Sequence, residues 1–193
     1  MVSISNTLAL GAGCYWGTEK YIVNDFQIKF PGRIRDAKVG FMSPNKDAVA
    51  NPTYKDVCTG STGHVEVLNI VLNEPTAELF EELCKFFFMF HDPTTLNRQG
   101  NDVGTQYASV IFCSSDQQKA IAKKVMAELQ EAIDDGAVKT YSQKQIKTAI
   151  VDYTNFYEAH EEHQQYLFKH PDGYCNHRYR FKEWPKLRRK DEL

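Results

Sequence analysis

Near its beginning the sequence reads TLALGAGCYWGTEKYIV, residues 7–23, and the fold is interpreted outward from this stretch. The apolar run Thr7-Leu8-Ala9-Leu10 is typical of a short buried strand. A glycine-rich turn follows, and from Cys14 to Val23 the apolar residues have helical spacing. A strand, a turn and a helix in this order predict that Cys14 lies at a helix N-terminus. The helix dipole there favours a thiolate, so we expect a lowered thiol pKa.

Outward from this stretch, strand-like and helix-like segments are interleaved along the chain. We expect strands over residues 33–41, 64–72, 107–113 and 147–153, and helices over residues 75–87, 115–132 and 157–168. Within the second of these strands, Glu66 shares a face with Leu68 and Ile70. The pattern predicts an α/β or α+β architecture, with helices packed on a sheet of about four or five strands.

Composition narrows the possible classes of protein. The chain has 193 residues, 42% hydrophobic and 25% charged, as in folded globular domains. We expect one domain, 1–193, with a core over about 5–182 and a basic tail over 183–193. The 23 Lys and Arg residues against 25 Asp and Glu residues give a net charge of −2, so no overall field attracts nucleic acid or an anionic membrane. The longest apolar stretch, residues 85–90, is too short to span a bilayer.

Cysteine is the most informative residue type. The five cysteines are Cys14, Cys58, Cys84, Cys113 and Cys175. Their number is odd, and the chain is long enough to fold without disulfide bonds, so they do not resemble the disulfide framework of a secreted protein. Cys14 is the candidate nucleophile, and Gly13 and Gly17 would let backbone N–H groups and a ligand approach it closely. The alternative is a core cysteine beside two core aromatic residues, Tyr15 and Trp16, and position alone leaves both interpretations open.

The residues around Cys14 resemble a known signature. Gly13-Cys14-Tyr15-Trp16-Gly17 is similar to the Gly-Cys-Phe-Trp-Gly motif of the peptide methionine sulfoxide reductase A family, with Tyr15 in place of Phe. The resemblance covers nearly the whole chain, through the segments NPTYKDVC (51–58), TGHVE (62–66), HDPT (91–94), QGNDVGTQY (99–107), NFY (155–157), HQQYL (163–167) and GYC (173–175). It implies a two-layer α+β fold in which a mixed β-sheet with packed helices has a ferredoxin-like core.

The resemblance also implies a reaction. Such an enzyme reduces methionine-S-sulfoxide, free or in oxidised proteins, to methionine. Cys14 would attack the sulfoxide sulfur and become a sulfenic acid, which the resolving Cys175 would convert to a disulfide. Glu66 would supply a proton to the departing oxygen, with a pKa raised by desolvation.

Further roles follow from the same resemblance. Tyr54 and Tyr107 would donate hydrogen bonds to the sulfoxide oxygen. Tyr15 and Trp16 would enclose the S-methyl group of the substrate, and Asp102 would support the pocket.

Several of these residues have ordinary alternatives. Glu66 could be a solvent-facing strand residue, Asp102 a turn former and Cys175 an incidental loop thiol. We expect Cys58 to be structural, and Cys84 and Cys113 to be core thiols.

The resemblance implies no metal and no bound cofactor, with thioredoxin, or dithiothreitol in vitro, as the reductant. His160 and His163 are three residues apart, not four as in the zinc motif His-Glu-x-x-His. We expect a monomer with no nucleic-acid or membrane partner.

Two departures from the family pattern bear on substrate range and on pH. Residues 42–44, Met-Ser-Pro, replace two glycines that relatives commonly carry, which alters a loop at the pocket rim. His160 stands where relatives commonly carry Glu, and its imidazole predicts a pH-dependent activity.

The last four residues, 190–193, spell the endoplasmic-reticulum retrieval signal. We expect a cytoplasmic protein, because no entry signal is visible. The endoplasmic-reticulum lumen is the alternative if a leader was removed.

Two other functions are compatible with these residues. A thiol peroxidase would also use Cys14 and Cys175 but would reduce peroxide. A non-catalytic module would bind oxidised methionine without turnover.

Overall fold

The structure is a computed structural model that describes residues 4–186. The strands are β1 (Thr7–Ala12), β2 (Ile34–Met42), β3 (Val65–Leu72), β4 (Arg98–Gln99), β5 (Asp102–Val103), β6 (Ser109–Cys113), β7 (Ala149–Asp152) and β8 (Phe156–Glu158). The α-helices are α1 (Tyr15–Glu19), α2 (Gln27–Lys29), α3 (Tyr54–Cys58), α4 (Ala77–Phe90), α5 (Asp116–Asp134) and α6 (Tyr166–Lys169). A π-helical segment, Lys20–Phe26, joins α1 to α2.

Six strands form one mixed sheet in the order β7-β6-β1-β3-β2-β8. Adjacent strands in this sheet run antiparallel, except β6 and β7, which are parallel. The four central strands, with α1 after β1 and α4 after β3, follow the β-α-β-β-α-β order of ferredoxin-like folds. The predicted two-layer fold is therefore confirmed, although the sheet has six strands where four or five were expected.

The main core lies between this sheet and the helices, and strand β3 shows how the chain builds it. Leu68, Ile70 and Leu72 are buried on the helix side, in a cluster that also contains the phenylalanines of α4. Val65 and Val67 point to the other face and join a second, smaller cluster. The predicted alternation along β3 is confirmed, and it directs the side chain of Glu66, which lies between Val65 and Val67, toward the helices.

Local capping residues begin the longer helices where the sequence predicts them. The Thr76 hydroxyl accepts a hydrogen bond from the Leu79 N–H at 3.1 Å at the start of α4. The Ser115 hydroxyl accepts one from the Gln118 N–H at 3.2 Å at the start of α5. These bonds satisfy N–H groups that have no partner within the helix.

The predicted helix over 157–168 is wrong. Residues 156–158 form the edge strand β8 on β2, and only Tyr166–Lys169 is α-helical. The reason is Gln164: its amide bonds both the N–H and the C=O of Val39, each at 2.9 Å, and the C=O of Ala159. These long-range bonds favour a turn over a helix in this segment. Similarly, Tyr107 was expected in a strand but lies in a short 3₁₀ turn, 105–107, before β6.

At the C-terminal end of the described chain, the Trp184 ring packs 6.1 Å from that of Phe181. The predicted retrieval signal, 190–193, and the tail residues from 187 onward lie outside the described residues. Within the part that the structure does describe, none of the helices has the length and apolar character needed to cross a membrane.

Candidate active site

Cys14 occupies the N-cap position of α1, as predicted, and is 7% exposed. The backbone N–H groups of Trp16 and Gly17 face its sulfur and act to lower the thiol pKa. Burial acts in the opposite direction and more strongly, and the nearby Glu66 carboxyl adds to it, so the pKa of Cys14 is raised. The expected low pKa is therefore wrong: at neutral pH Cys14 is a thiol, not a thiolate.

Glu66 lies on β3 with 2% of its surface exposed. Its Oε2 accepts a hydrogen bond from the backbone N–H of Tyr15 at 3.1 Å, which places the carboxyl group beside the first turn of α1. Burial raises the pKa of Glu66 to about 8; the Tyr15 N–H opposes this shift, while the Asp102 carboxylate adds to it. Glu66 is thus a buried carboxylic acid that keeps its proton at neutral pH, and the solvent-facing alternative is excluded.

Gly13 and Gly17, on either side of Cys14, leave space that other side chains of the protein fill. Gly13 has φ +90°, and a Cβ there would overlap the side chain of Gln99. A Cβ on Gly17 would overlap the imidazole of His177. The sequence interpretation expected a ligand at this close approach. In the structure, neighbouring side chains fill that space and fix the nucleophile's helix against the rest of the fold.

Two tyrosine hydroxyl groups lie in the electrostatic field of Glu66. Tyr54 is 38% exposed at the start of α3, and Tyr107 is half-buried in the 3₁₀ turn. Burial is the main cause of the raised pKa of each phenol. The Cys58 thiol and Glu66 raise the pKa of Tyr54 further, and Glu66 and Asp102 raise that of Tyr107. Both hydroxyl groups keep their protons and can donate hydrogen bonds to a negatively polarised oxygen.

An aromatic wall stands beside the thiol. Tyr15 is 1% exposed, and Trp16 is half-buried. The Trp16 ring stacks on Tyr166 with centroids 3.9 Å apart and on His163 at 5.8 Å. His163 also lies 4.6 Å from the ring of Tyr54, so it connects this wall to a candidate hydrogen-bond donor.

The sequence interpretation assigned no role to His163 or Tyr166, although both lie in the HQQYL segment. Only a sequence-distant contact identifies them, since Trp16 and Tyr166 are far apart in the chain. The buried Nδ1 of His163, the Tyr15 hydroxyl and the Trp16 Nε1 have no hydrogen-bond partner among the described residues.

Asp102 holds the segment that carries Cys175. The Tyr174 hydroxyl donates to Asp102 Oδ1 at 3.1 Å, and the Asn176 amide donates to Oδ2 at 2.7 Å. Asn176 also donates to the C=O of Gln99 at 2.6 Å. Both neighbours of Cys175 are therefore anchored on one carboxylate, and Asp102 is more than a turn former.

His177 is a further residue that the sequence interpretation overlooked. Its Nε2 lies 2.7 Å from the C=O of Ala12, so this nitrogen carries the proton. Burial lowers the pKa of His177 to about 4, so the ring is neutral and Nδ1 is unprotonated. That Nδ1 lies 4.0 Å from the sulfur of the half-buried Cys175, within reach of a weak S–H hydrogen bond.

The remaining cysteines differ from one another. Cys84 and Cys113 are buried core thiols, as expected. Cys58 was expected to be structural, but it is exposed at the end of α3. All five cysteines are free thiols.

His160 lies at the surface of the protein. Its side chain is 78% exposed, in the turn that replaces the predicted helix, with Nδ1 3.9 Å from Glu162. Across residues 4–186, no cluster of three or more His, Cys, Asp or Glu residues could hold a metal ion.

The chain is similar to known proteins over most of its length. The sequence model of the family described as peptide methionine sulfoxide reductase matches residues 6–192. The chain belongs to the peptide methionine sulfoxide reductase A family. It is 41% identical to a probable peptide methionine sulfoxide reductase of Schizosaccharomyces pombe, over 86% of this chain and 89% of that protein. It is 44% identical to a peptide methionine sulfoxide reductase MsrA of Methanothermobacter thermautotrophicus, over 86% and 88%.

Solved structures agree with this membership. Reduced Mxr1 from Saccharomyces cerevisiae superposes with a TM-score of 0.72 at 34% identity, over 98% of this chain and 95% of that one. Methionine sulfoxide reductase A of Corynebacterium diphtheriae gives 0.71 at 34% identity, over 88% and 77%. The chain is therefore an enzyme with methionine sulfoxide reductase activity.

Proposed function

We propose that this reductase acts on methionine-S-sulfoxide, free and in oxidised proteins, through a sulfenic acid on Cys14. The observation that carries the proposal is the buried, protonated Glu66 beside a buried, protonated Cys14. Reduction of a sulfoxide needs both a nucleophile at sulfur and a proton at oxygen, and these two groups supply them from adjacent positions.

In the first step the Cys14 sulfur attacks the sulfoxide sulfur while Glu66 gives its proton to the oxygen. The oxygen leaves the substrate and ends on Cys14 as a sulfenic acid, and methionine is released. The proton lost by Cys14 replaces the one given by Glu66, so the pair is neutral before and after the step. The sulfoxide gains two electrons, and the Cys14 sulfur loses two.

The neighbouring side chains support this assignment. The hydroxyl groups of Tyr54 and Tyr107 would donate hydrogen bonds to the oxygen as negative charge develops on it. Tyr15 and Trp16 offer an apolar, polarizable surface suited to the S-methyl group. Asp102 would act indirectly, through the segment that it anchors.

In the second step the Cys175 thiol attacks the sulfenic acid, water leaves, and a Cys14–Cys175 disulfide forms. The neutral Nδ1 of His177 is placed to accept the thiol proton of Cys175. A dithiol, thioredoxin in the cell or dithiothreitol in vitro, would then reduce the disulfide. The residues do not require a metal or bound cofactor for either step.

A peroxidase is the less suitable function for this site. Peroxide reduction relies on a thiolate in the unliganded enzyme, whereas burial and Glu66 raise the pKa of Cys14. A sulfoxide reductase can instead use the Glu66 proton in the same step as the attack.

Single-turnover reduction of each methionine sulfoxide epimer by the pre-reduced enzyme tests the proposal. We expect about one methionine per chain from the S epimer, none from Cys14→Ser, and unchanged first-turnover yield from Cys175→Ser. Cys58→Ser is the matched control, because it removes an exposed thiol while its hydroxyl group can keep the contact with Tyr54, and it should leave both turnover and thiol loss unchanged. No methionine from the S epimer, or full activity in Cys14→Ser, would contradict the proposal.

A further inference from the structure

A large cleft lies beside the segment that carries Cys175. It is a cleft of about 1580 Å³ between the loop after α4, the loop after α5 and residues 176–180. The mechanism proposed above uses none of the side chains that extend into it. Cationic side chains outnumber acidic ones in its lining, although the net charge of the chain is −2.

The cleft is strongly cationic. Two acidic side chains, Asp92 and Asp134, line it together with six cationic ones: Arg98, Lys139, Lys144, Lys147, Arg178 and Arg180. Asp92 is already committed to internal bonds, accepting from the N–H groups of Thr94 and Ser142. Most of the positive charge in the cleft is therefore uncompensated.

The cations themselves have few partners. Within residues 4–186, only Arg180 of the six pairs with an acid, at 3.8 Å from Asp92. The Arg180 side chain is 9% exposed, and its buried Nε has no hydrogen-bond partner among the described residues. The other five are exposed, and none of them pairs with an acid in the described part of the chain, although the Arg98 Nε donates a hydrogen bond to the C=O of Gly100 at 2.8 Å. Arg180 bonds the C=O of Thr140 and the Gln99 side chain through its terminal nitrogens, but its buried Nε is left over. This incompletely bonded guanidinium, surrounded by five cations without an acidic partner among residues 4–186, favours the binding of negative charge.

The shape of the cleft favours an extended polypeptide. The charges are spread around an open groove, mostly on long flexible side chains, and not on a compact cradle of backbone N–H groups such as a phosphate site uses. A folded dithiol protein presents a convex surface, which suits the exposed Tyr174 beside the half-buried Cys175 better than a groove. A chain with several acidic side chains fits both the concavity and the charge.

One residue, Asn176, connects the cleft to side chains that contact the active site. Asn176 lines the cleft and donates hydrogen bonds to Asp102 and to the C=O of Gln99. The Gln99 side chain in turn fills the space against Gly13, next to Cys14. The cleft is therefore separated from Cys14 by only these contacts, and the residues flanking an oxidised methionine bound at Cys14 would reach it on the side of the Cys175 segment.

We infer that this cleft binds acidic sequence flanking the methionine sulfoxide of a protein substrate, so that the enzyme selects oxidised methionines in acidic segments. This inference rests on the proposed function. It adds a substrate class: unfolded or flexible acidic segments are reduced at lower concentration than neutral ones. Free methionine sulfoxide does not reach the cleft and serves as an internal reference.

Steady-state kinetics with dithiothreitol as the reductant test the inference. The substrates are two peptides of equal length with one central methionine-S-sulfoxide, flanked by glutamates or by glutamines, and free methionine-S-sulfoxide. The variant is Lys144→Glu/Lys147→Glu. The matched control is Arg35→Glu/Lys123→Glu, which makes the same charge change outside the cleft, at exposed positions that pair with no acid among residues 4–186.

We expect a lower KM for the acidic peptide than for the neutral one, and a loss of this preference at high salt. The cleft variant should raise KM for the acidic peptide about tenfold, which corresponds to about 1.4 kcal/mol. The control variant should leave this KM nearly unchanged, and free methionine-S-sulfoxide should be turned over equally by all three proteins.

Equal KM values for the two peptides, or equal changes in the cleft and control variants, would overturn the inference. A parallel assay with thioredoxin in place of dithiothreitol adds one more outcome: a cleft variant that changes only the KM for thioredoxin would overturn the inference and identify the reductant as the occupant. Failure of the proposed function is distinguishable, because the wild-type enzyme would then not reduce free methionine-S-sulfoxide.

Discussion

Replacing Glu66 by Gln should stabilise the folded protein at neutral pH and remove its activity. Burial raises the pKa of this carboxyl group from 4.5 to about 8 in the folded protein. In the unfolded chain the carboxyl ionises near its ordinary value. Between these two values the folded state holds a proton that the unfolded state has lost, so the free energy of unfolding decreases as pH rises.

The magnitude follows from this interval. From 4.5 to pH 7 is about 2.5 pH units, and at about 1.36 kcal/mol per unit the buried carboxyl destabilises the fold by about 3 kcal/mol. Gln has the same shape and no titrating proton, and its carbonyl oxygen can still accept the hydrogen bond from the Tyr15 N–H. The stability difference between Glu66→Gln and the wild type should therefore increase by about 3 kcal/mol from pH 4.5 to pH 7.

Urea unfolding of both proteins at pH 4.5 and pH 7 measures this difference directly. Glu19→Gln is the matched control, because Glu19 is 1% exposed and burial raises its pKa to about 7, yet it has no role in the proposed reaction. Both substitutions should increase stability at pH 7. Only Glu66→Gln should lower kcat, by about 100-fold or more, as expected for loss of a general acid.

Two results would refute this reasoning. One is a stability difference between Glu66→Gln and the wild type that is the same at both pH values, which would mean that Glu66 is ionised in the fold. The other is a Glu66→Gln enzyme with the wild-type rate, which would mean that the proton comes from elsewhere.

Three further predictions concern neighbouring features. The single-turnover rate should fall as pH rises through about 8, where Glu66 loses its proton, and stopped-flow profiles of the wild type that stay flat to pH 9.5 would contradict this. His163→Ala should raise KM about tenfold by removing a ring that stacks on Trp16, and His163→Phe should restore most of the loss, which steady-state kinetics would detect. Gly17→Ala should lower the free energy of unfolding by about 1–3 kcal/mol, because its Cβ would overlap the buried His177 ring; a urea midpoint equal to wild type would argue against that contact.

Much of the fold could be predicted because its signals are local. The caps Thr76 and Ser115 and the alternation along β3 are properties of neighbouring residues, and each element formed where they indicated. The segment 157–168 failed for the opposite reason. Its helical spacing was outweighed by Gln164 bonding to Val39, a residue 125 positions away, and by the free edge of β2.

The candidate site likewise contains residues that the sequence identified and residues that it did not. Motif resemblance identified Cys14 and Glu66, because each lies in a short motif of consecutive residues that the sequence shows directly. It did not identify His177, whose signal is a contact with Ala12 across 165 residues. The exposure of Cys58 was likewise invisible, because burial depends on what packs against a helix and not on its own sequence.

By itself the sequence determined the strand–turn–helix around Cys14, the two-layer class of the fold and the family. Periodicity, capping and motif order are written along the chain and need no knowledge of distant contacts. Only the tertiary structure decided the protonation of the site. A helix N-terminus predicts a thiolate at Cys14, but packing buries that sulfur beside the carboxyl group of Glu66. Glu66 lies on β3 and bonds Tyr15, which is 51 residues earlier in the chain. Desolvation then outweighs the helix dipole, because removing a charge from water costs more free energy than a few backbone N–H groups return.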